Sequence, residues 1–409
     1  MSEKRKHIVI VGGNFAGLTA AIKLSRRHAV TVIDPSRDFE WAPGIHEILS
    51  SVKTPQGLRL DRGAIVKQAG HRFLRDRVTV LEPAQGRLAT AGGHELAFDA
   101  CIVAVGALWN THHVPGVARH AMPFRSVADG LAIEKRLHTL MQQGKPLRIV
   151  IVGGGLSGIE ALGEILRRHR NDVGLSIELV EAGARLLPGL PASLDADLRR
   201  ICEPYPVSFR TRTTIASVSA KGVRLADGTR LRSELTLWTA GLAPPTLLRE
   251  SGLATPPQVW AEVRATLQSC HFDNVFAVGD AAQLPHAVGK QAYNAIDMGA
   301  LAAANAVRFL AGRALKPFKP APKPVLVAFG DLQSYLVAGR TVVASKALAG
   351  AKEGVYQVFM AQMAPGSVLT SLPAAAGRLW RSWRQLALPQ LMSLADFRKL
   401  PDLRAVRLL

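Results

Sequence analysis

Two stretches of this chain are near copies of one another. The first reads Ile8-Val-Ile-Val-Gly12-Gly13-Asn14-Phe15-Ala16-Gly17, the second Ile149-Val-Ile-Val-Gly153-Gly154-Gly155-Leu156-Ser157-Gly158. Each starts as a short apolar run of buried-strand type, turns on glycines and passes into a helical pattern. That pattern runs from Leu18 to Arg26 in the first copy and through Glu160 and Glu164 in the second. A further strand follows each helix, Val30 to Asp34 and Ile177 to Glu181, and both end on an acid. Strands and helices alternating in this way bury their apolar runs in a parallel sheet covered on both faces. The expected fold class is therefore α/β, with two Rossmann-like dinucleotide-binding domains.

The residue types in the turns carry the chemistry. Glycines let a pyrophosphate approach the backbone, the helix N-terminus supplies N–H donors and a positive dipole, and the acid accepts from a ribose hydroxyl. One expected cradle is Gly12, Gly13, Asn14, Phe15, Ala16 and Gly17 with Asp34; the other is Gly153, Gly155 and Gly158 with Glu181. Asn14 stands where the pattern has its middle glycine. Asn tolerates left-handed dihedrals better than most residues, so the turn survives with a side chain beside the phosphates. At the second cradle a 2′-phosphate would meet the Glu181 carboxylate, which favours NADH over NADPH.

At 409 residues the chain exceeds one ordinary core and divides into two or three domains. Lys and Arg number 51 against 31 Asp and Glu, a formal charge of +20, which favours an anionic partner. The basic residues are spread through the chain without a helix-turn-helix, RNP-like or zinc pattern, so nucleic acid is set aside. Cys101, Cys202 and Cys270 stand far apart with no ligand or redox spacing, and no metal site is expected. Met1 to His7 leads straight into the first strand, and no uninterrupted apolar stretch approaches the roughly 20 residues of a spanning helix. Membrane contact is expected to be peripheral.

Three further segments extend the pattern. Asp99-Ala-Cys-Ile-Val-Ala-Val-Gly106 and Leu237-Trp-Thr-Ala-Gly241 read as buried strands ending in Gly. Asn274-Val-Phe-Ala-Val-Gly279-Asp280-Ala281 reads as a strand delivering an acid at its C-terminal end, where parallel sheets bind ligands. With the two glycine turns, in this order and from about residue 7 to about residue 360, these segments resemble the two-dinucleotide-domain flavoprotein oxidoreductases. The resemblance implies an FAD domain interrupted by an NADH domain: residues 1–114 and 244–318 for non-covalent FAD, 115–243 for NADH as co-substrate, and a C-terminal α+β segment over 319–409. It places Asp280 at the ribityl chain, ends the crossing strands at Gly106 and Gly241, and adds Pro43, Gly279, Gln291 and Ala292 to the flavin-binding positions.

Within that family, Val152 to Glu164 is similar to the nucleotide turn of type II NADH dehydrogenases and of the ferroptosis-suppressor branch of AIF-like proteins. Both are NAD(P)H:quinone reductases, and the likeness implies Glu160 as a carboxylate near nicotinamide and flavin. Lys290-Gln-Ala-Tyr293-Asn-Ala resembles the suppressor branch and implies a functional Lys290 near the flavin carbonyl edge. Type II dehydrogenases place two Gln in this helix to line the quinone tunnel, whereas Tyr293 and Asp297 stand there in this chain. Residues 39–52 lack the cysteine pair of the disulfide reductases.

Beyond the Pro-rich connector Lys316 to Pro324, strands are expected at Val325 to Phe329, Tyr335 to Val337 and Thr341 to Ala344. A helix with Leu379, Trp383 and Leu386 on one face and Arg378, Arg381 and Arg384 on the other ends at Pro389. Its tryptophans and arginines fit a membrane interface with anionic lipid, so the expected location is cytoplasmic, peripheral on the inner face of the membrane. The expected partners are NADH, a quinone and that surface; a homodimer is allowed. The rival readings are a soluble reductase feeding a ferredoxin or rubredoxin, and a flavin- or NADH-binding regulator without turnover.

Overall fold

The computed structural model describes residues 5–364 and the backbone of the short strand Arg404–Val406; the expected helix over 376–389 lies outside the described residues. Contacts divide the chain into two units. The first comprises Met1–Glu40, Arg59–Leu108 and Leu242–Ala321, and the second Trp41–Leu58, Trp109–Gly241 and Pro322–Leu409.

The first unit is built on a five-stranded parallel sheet in the order Val275–Ala277, Ala100–Val103, His7–Val11, Ala29–Ile33, Arg72–Leu74. His7–Val11 lies at its centre, with Ile8 opposite Val30 on one side and Ala100 on the other. Ile8, Val9 and Ile10 are wholly buried, as a strand covered on both faces requires. The helix Phe15–Lys23 packs against the helix Ala292–Leu310, whose buried face is made of small residues such as Ala302, Ala303 and Ala306. That crossing is so close that a Cβ on Gly299 would lie 2.2 Å from the Ala16 carbonyl oxygen. An antiparallel sheet of Val78–Glu82, Arg87–Thr90 and Glu95–Ala97 flanks this core.

The second unit repeats the plan. Its parallel sheet runs Met122–Pro123, Leu235–Trp238, Leu147–Val152, Leu175–Val180, Val207–Arg210, again with the strand that feeds a glycine turn at the centre. The helix Leu156–His169 follows that turn and packs on the strand Val325–Phe329, where a Cβ on Gly163 would meet the Gly330 nitrogen at 2.5 Å. Val325–Phe329, Gln333–Ala338, Thr341–Ala344 and Arg404–Val406 form an antiparallel sheet, and the helix Leu348–Met363 packs on it. Residues 41–58 also belong to this unit, although they interrupt the first: the 3-10 helix Ala42–Ile48 sits on the helices Val127–Gln142 and Leu156–His169.

Gly299→Ala tests the helix crossing, because two effects oppose. Ala favours a helix interior over Gly by about 1 kcal/mol, but the added methyl must force the two helices apart, at a cost on the order of 1–3 kcal/mol. The expected net outcome is a lowered melting temperature; a variant that melts at or above the wild type would refute the close approach.

Candidate active site

The first cradle is shaped by contacts that exclude side chains. Gly12 has φ +96°, and a Cβ there would lie 2.3 Å from the Ala104 oxygen, while one on Gly17 would lie 1.8 Å from the Gly12 oxygen. Asp34 closes the turn: its Oδ2 accepts from the Gly13 N–H at 2.7 Å and its Oδ1 from the Ser36 N–H at 2.8 Å. Arg62, 3 % exposed, donates to the Gly13 carbonyl at 2.6 Å and to Asp34 Oδ1 at 2.5 Å. Asn14 precedes the helix Phe15–Lys23 without capping it, and its buried Oδ1 has no hydrogen-bond partner.

The second cradle is nearly a duplicate. A Cβ on Gly158 would lie 1.9 Å from the Gly153 oxygen. Glu181 accepts from the N–H groups of Gly154 and Gly183, each at 2.6 Å. Gly155 opens the helix Leu156–His169 with no side-chain cap. By contrast, Ser126 and Asp129 form a full capping box on the helix Val127–Gln142. The two Rossmann helices therefore leave first-turn N–H groups for an outside acceptor, and an oriented acid stands beside each turn. Both donor sets suit a dinucleotide.

Gly279 and Asp280 follow the strand Val275–Ala277, and the Gly279 N–H donates to the Met298 sulfur at 3.2 Å. With Lys290 and Gln291 they line an open concavity. The Lys290 ammonium donates to the Asp280 carbonyl and lies 3.6 Å from the centre of the Trp260 ring. Burial lowers its pKa. Ala292 begins the helix Ala292–Leu310 that carries Tyr293 and Asp297; Tyr293 is half-buried, and its hydroxyl is raised by burial. Gly106 and Gly241 both take left-handed backbone, at φ +67° and +77°. All these residues belong to the first unit except Gly241.

Glu160 and Pro43 lie in the second unit, and Glu160 stands in a polar cluster that has no signature in residue order. Lys352 Nζ donates to Glu160 Oε1 at 2.6 Å and lies 3.0 Å from His46 Nε2; His46 Nδ1 is 3.6 Å from Glu160 Oε2. The Ala328 N–H also approaches Glu160 Oε1, at 3.3 Å. Burial pushes the Glu160 carboxyl up, but the polar groups around it, with the Lys352 ammonium as the cation among them, outweigh burial and hold the group below the ordinary range. Burial pushes the His46 imidazole down to about 3, so the ring is neutral at pH 7. One helical turn beyond Glu160, Glu164 is 1 % exposed, accepts from the Ser50 hydroxyl and lies 3.6 Å from Arg167. Burial raises its carboxyl to about 7. Sequence reasoning missed His46, Lys352, Glu164 and Arg62 as members of these sites.

Two dinucleotide cradles on two parallel sheets define an α/β oxidoreductase of the two-nucleotide type. Residues 6–299 match the profile of the pyridine nucleotide-disulphide oxidoreductases, and the chain belongs to that family. Its cysteines form no disulfide: Cys101 and Cys202 are buried, Cys270 is exposed, and all three are free. A demethylphylloquinone reductase of Synechocystis is 26 % identical over 352 residues, covering 81 % of this chain and 86 % of that one. A type II NADH:quinone oxidoreductase of Haemophilus influenzae is 26 % identical over 380 residues, covering 80 % and 85 %. Among solved structures, an NDH2 of Plasmodium falciparum in complex with NADH superposes with TM-score 0.79 at 16 % identity, covering 87 % of this chain and 95 % of that one.

Glu164 gives the cluster a signature in stability. A carboxyl raised to about 7 keeps its proton in the folded chain over a range where the unfolded chain has lost it. Stability from this group is therefore present below the ordinary carboxylate pKa, falls as pH rises towards 7, and stays lost above it. His46 has the opposite sign: its contribution is present above the ordinary imidazole pKa and falls as pH drops towards 3. Glu164→Gln, which retains the uncharged shape, is expected to exceed the wild type in stability at pH 8 by on the order of 3 kcal/mol and to match it near pH 4. Urea melts at the two pH values measure this, and a pH-independent difference would rule out the protonated carboxyl.

Proposed function

We propose that the chain is an FAD-dependent NADH:quinone oxidoreductase of the type II kind, acting at a membrane surface. The observation that carries the reading is Glu160: the helix that opens the second cradle also holds an ionised carboxylate, paired with Lys352 at 2.6 Å. Relatives that cover most of the chain are named as NADH:quinone and demethylphylloquinone reductases, and the three free cysteines offer no paired thiols as an alternative electron relay.

In this reading Gly12 to Gly17 and Asp34 hold the adenosine diphosphate half of FAD, with Asp280 and Gln291 toward its flavin half. Gly153 to Gly158 and Glu181 hold NADH. Bound FAD supplies a carrier that accepts a hydride from NADH and releases two electrons to a quinone. The protein's part is orientation and charge. Backbone N–H groups fix both Glu181 oxygens, so the carboxylate cannot swing away from a 2′-phosphate, which disfavours NADPH. Lys290 and Lys352 are the cations available to stabilise developing negative charge, Lys290 held at the Asp280 carbonyl and Lys352 at Glu160. Tyr293 and Asp297, on the helix that starts beside the concavity, are the proposed quinone-side residues.

Steady-state oxidation of NADH and NADPH with a short-chain quinone, an iron–sulfur carrier and oxygen tests the assignment. The quinone with NADH is expected to be the fastest pair, with NADPH at least tenfold poorer in kcat/KM. A solved ferredoxin reductase of Rhodopseudomonas palustris shares the fold with TM-score 0.71, so a preference for the iron–sulfur carrier would transfer the chain to that function.

The surface assignment rests on charge: residues 366–409 carry seven basic and two acidic side chains, with Trp380 and Trp383 among them. Among the described residues no helix is long and apolar enough to cross a membrane. Removal of 366–409 is expected to abolish co-sedimentation with anionic liposomes while ferricyanide reduction by NADH persists. Retained binding by the truncated chain would move the contact elsewhere.

A further inference from the structure

His46 is absent from the chemistry assigned above, yet it is 2 % exposed and touches both members of the Glu160–Lys352 pair. It reaches them from a third element. Glu160 comes from the helix Leu156–His169, Lys352 from the helix Leu348–Met363, and His46 from the 3-10 helix Ala42–Ile48. A lysine ammonium has three hydrogens to donate and accepts nothing. Two of them are directed at Glu160 Oε1, at 2.6 Å, and His46 Nε2, at 3.0 Å. The ring nitrogen facing an ammonium must accept, so Nε2 carries the lone pair and Nδ1 the hydrogen, which faces Glu160 Oε2 at 3.6 Å.

We infer that His46 is a positioning residue: its Nε2 lone pair, with Glu160, fixes the Lys352 ammonium so that the third N–H is presented to an incoming acceptor oxygen. A flexible four-carbon stem held by one acceptor would still rotate about that contact, and a second acceptor from another element removes the freedom. The charges around the ring support the neutral form. Lys352 from one helix and Lys53 from the chain beyond the 3-10 helix oppose a ring proton, Glu160 favours it, and burial decides for the uncharged ring. The other titratable groups of the cluster are Glu47, which is raised mainly by burial, Glu353, which takes Lys53 at 2.5 Å, and Glu164, which is bound to Ser50. A charged His46 would set two cations 3.0 Å apart and undo the arrangement.

The kinetic consequence rests on the quinone-reductase reading; the tautomer does not. In flavin-loaded full-length protein carrying ¹³C,¹⁵N-histidine, the His46 ring is expected to show the Nδ1–H tautomer and not to titrate between pH 8 and pH 5. An Nε2–H ring, or one that protonates in that range, overturns the inference whatever the enzyme reduces. In turnover with NADH and a short-chain quinone, His46→Phe is expected to lower kcat at least tenfold with KM for NADH little changed. His46→Gln, whose amide oxygen can replace Nε2, is expected to recover most of the kcat. Equal losses in both variants, or wild-type kcat in His46→Phe, would show that the ring only fills space. A wild type that ignores quinones would sink the functional reading and leave the spectroscopic result standing.

Discussion

The near-contact between a glycine in the first helical turn and the carbonyl of the turn before it organises both halves of this protein. Gly17 lies against the Gly12 oxygen and Gly158 against the Gly153 oxygen, with no room for a methyl at either place. This closeness sets how the helix leaves the sheet and keeps its unpaired N–H groups at the strand ends. It also brings the next strand's terminal acid within reach of the middle turn amide, Asp34 to Gly13 and Glu181 to Gly154. The open first-turn donors and the oriented acid beside them are thus consequences of one steric constraint used twice.

What could be read from residue order was what depends on residue order. The glycine turns, their strands, the terminal acids and the C-terminal antiparallel strands are local patterns, and the folded chain has them where the patterns stand. The polar cluster is different. His46, Lys352 and Glu164 derive their significance from burial and from neighbours more than a hundred residues away in the chain, and none of the three has a local signature. The helix Leu348–Met363 also carries Gly350 and Gly354 and shows no clear apolar stripe, so Lys352 reads in the sequence as an ordinary surface lysine. Arg62 was hidden for a related reason: its helix is short, and its role is visible only once Asp34 and Gly13 stand beside it.

Net charge proved a poor guide to the sites themselves. The chain carries a formal +20, yet carboxylates stand beside both glycine turns and at the centre of the polar cluster. Asp34 and Glu181 are held by turn amides, Glu160 by an ammonium, and Glu164 by a hydroxyl under conditions that favour its proton. The two carboxyls of one helix are thereby driven in opposite directions, Glu160 below the ordinary range and Glu164 up to about 7, by burial and by their neighbours.

The chain also passes back and forth between the two units: residues 41–58 interrupt the first, and its sheet takes its last strand, Val275–Ala277, only after the whole second parallel sheet has been made. A nascent chain therefore exposes the central strand His7–Val11 with a permanent neighbour on one side long before Ala100–Val103 and then Val275–Ala277 emerge to complete the row. The second unit, whose parallel strands all fall within residues 122–210 and 235–238, can settle earlier. Synthesis order and assembly order are thus reversed for the N-terminal strand, a topology that loads the early chain with unsatisfied sheet edge and makes separate expression of either half by a single cut unworkable.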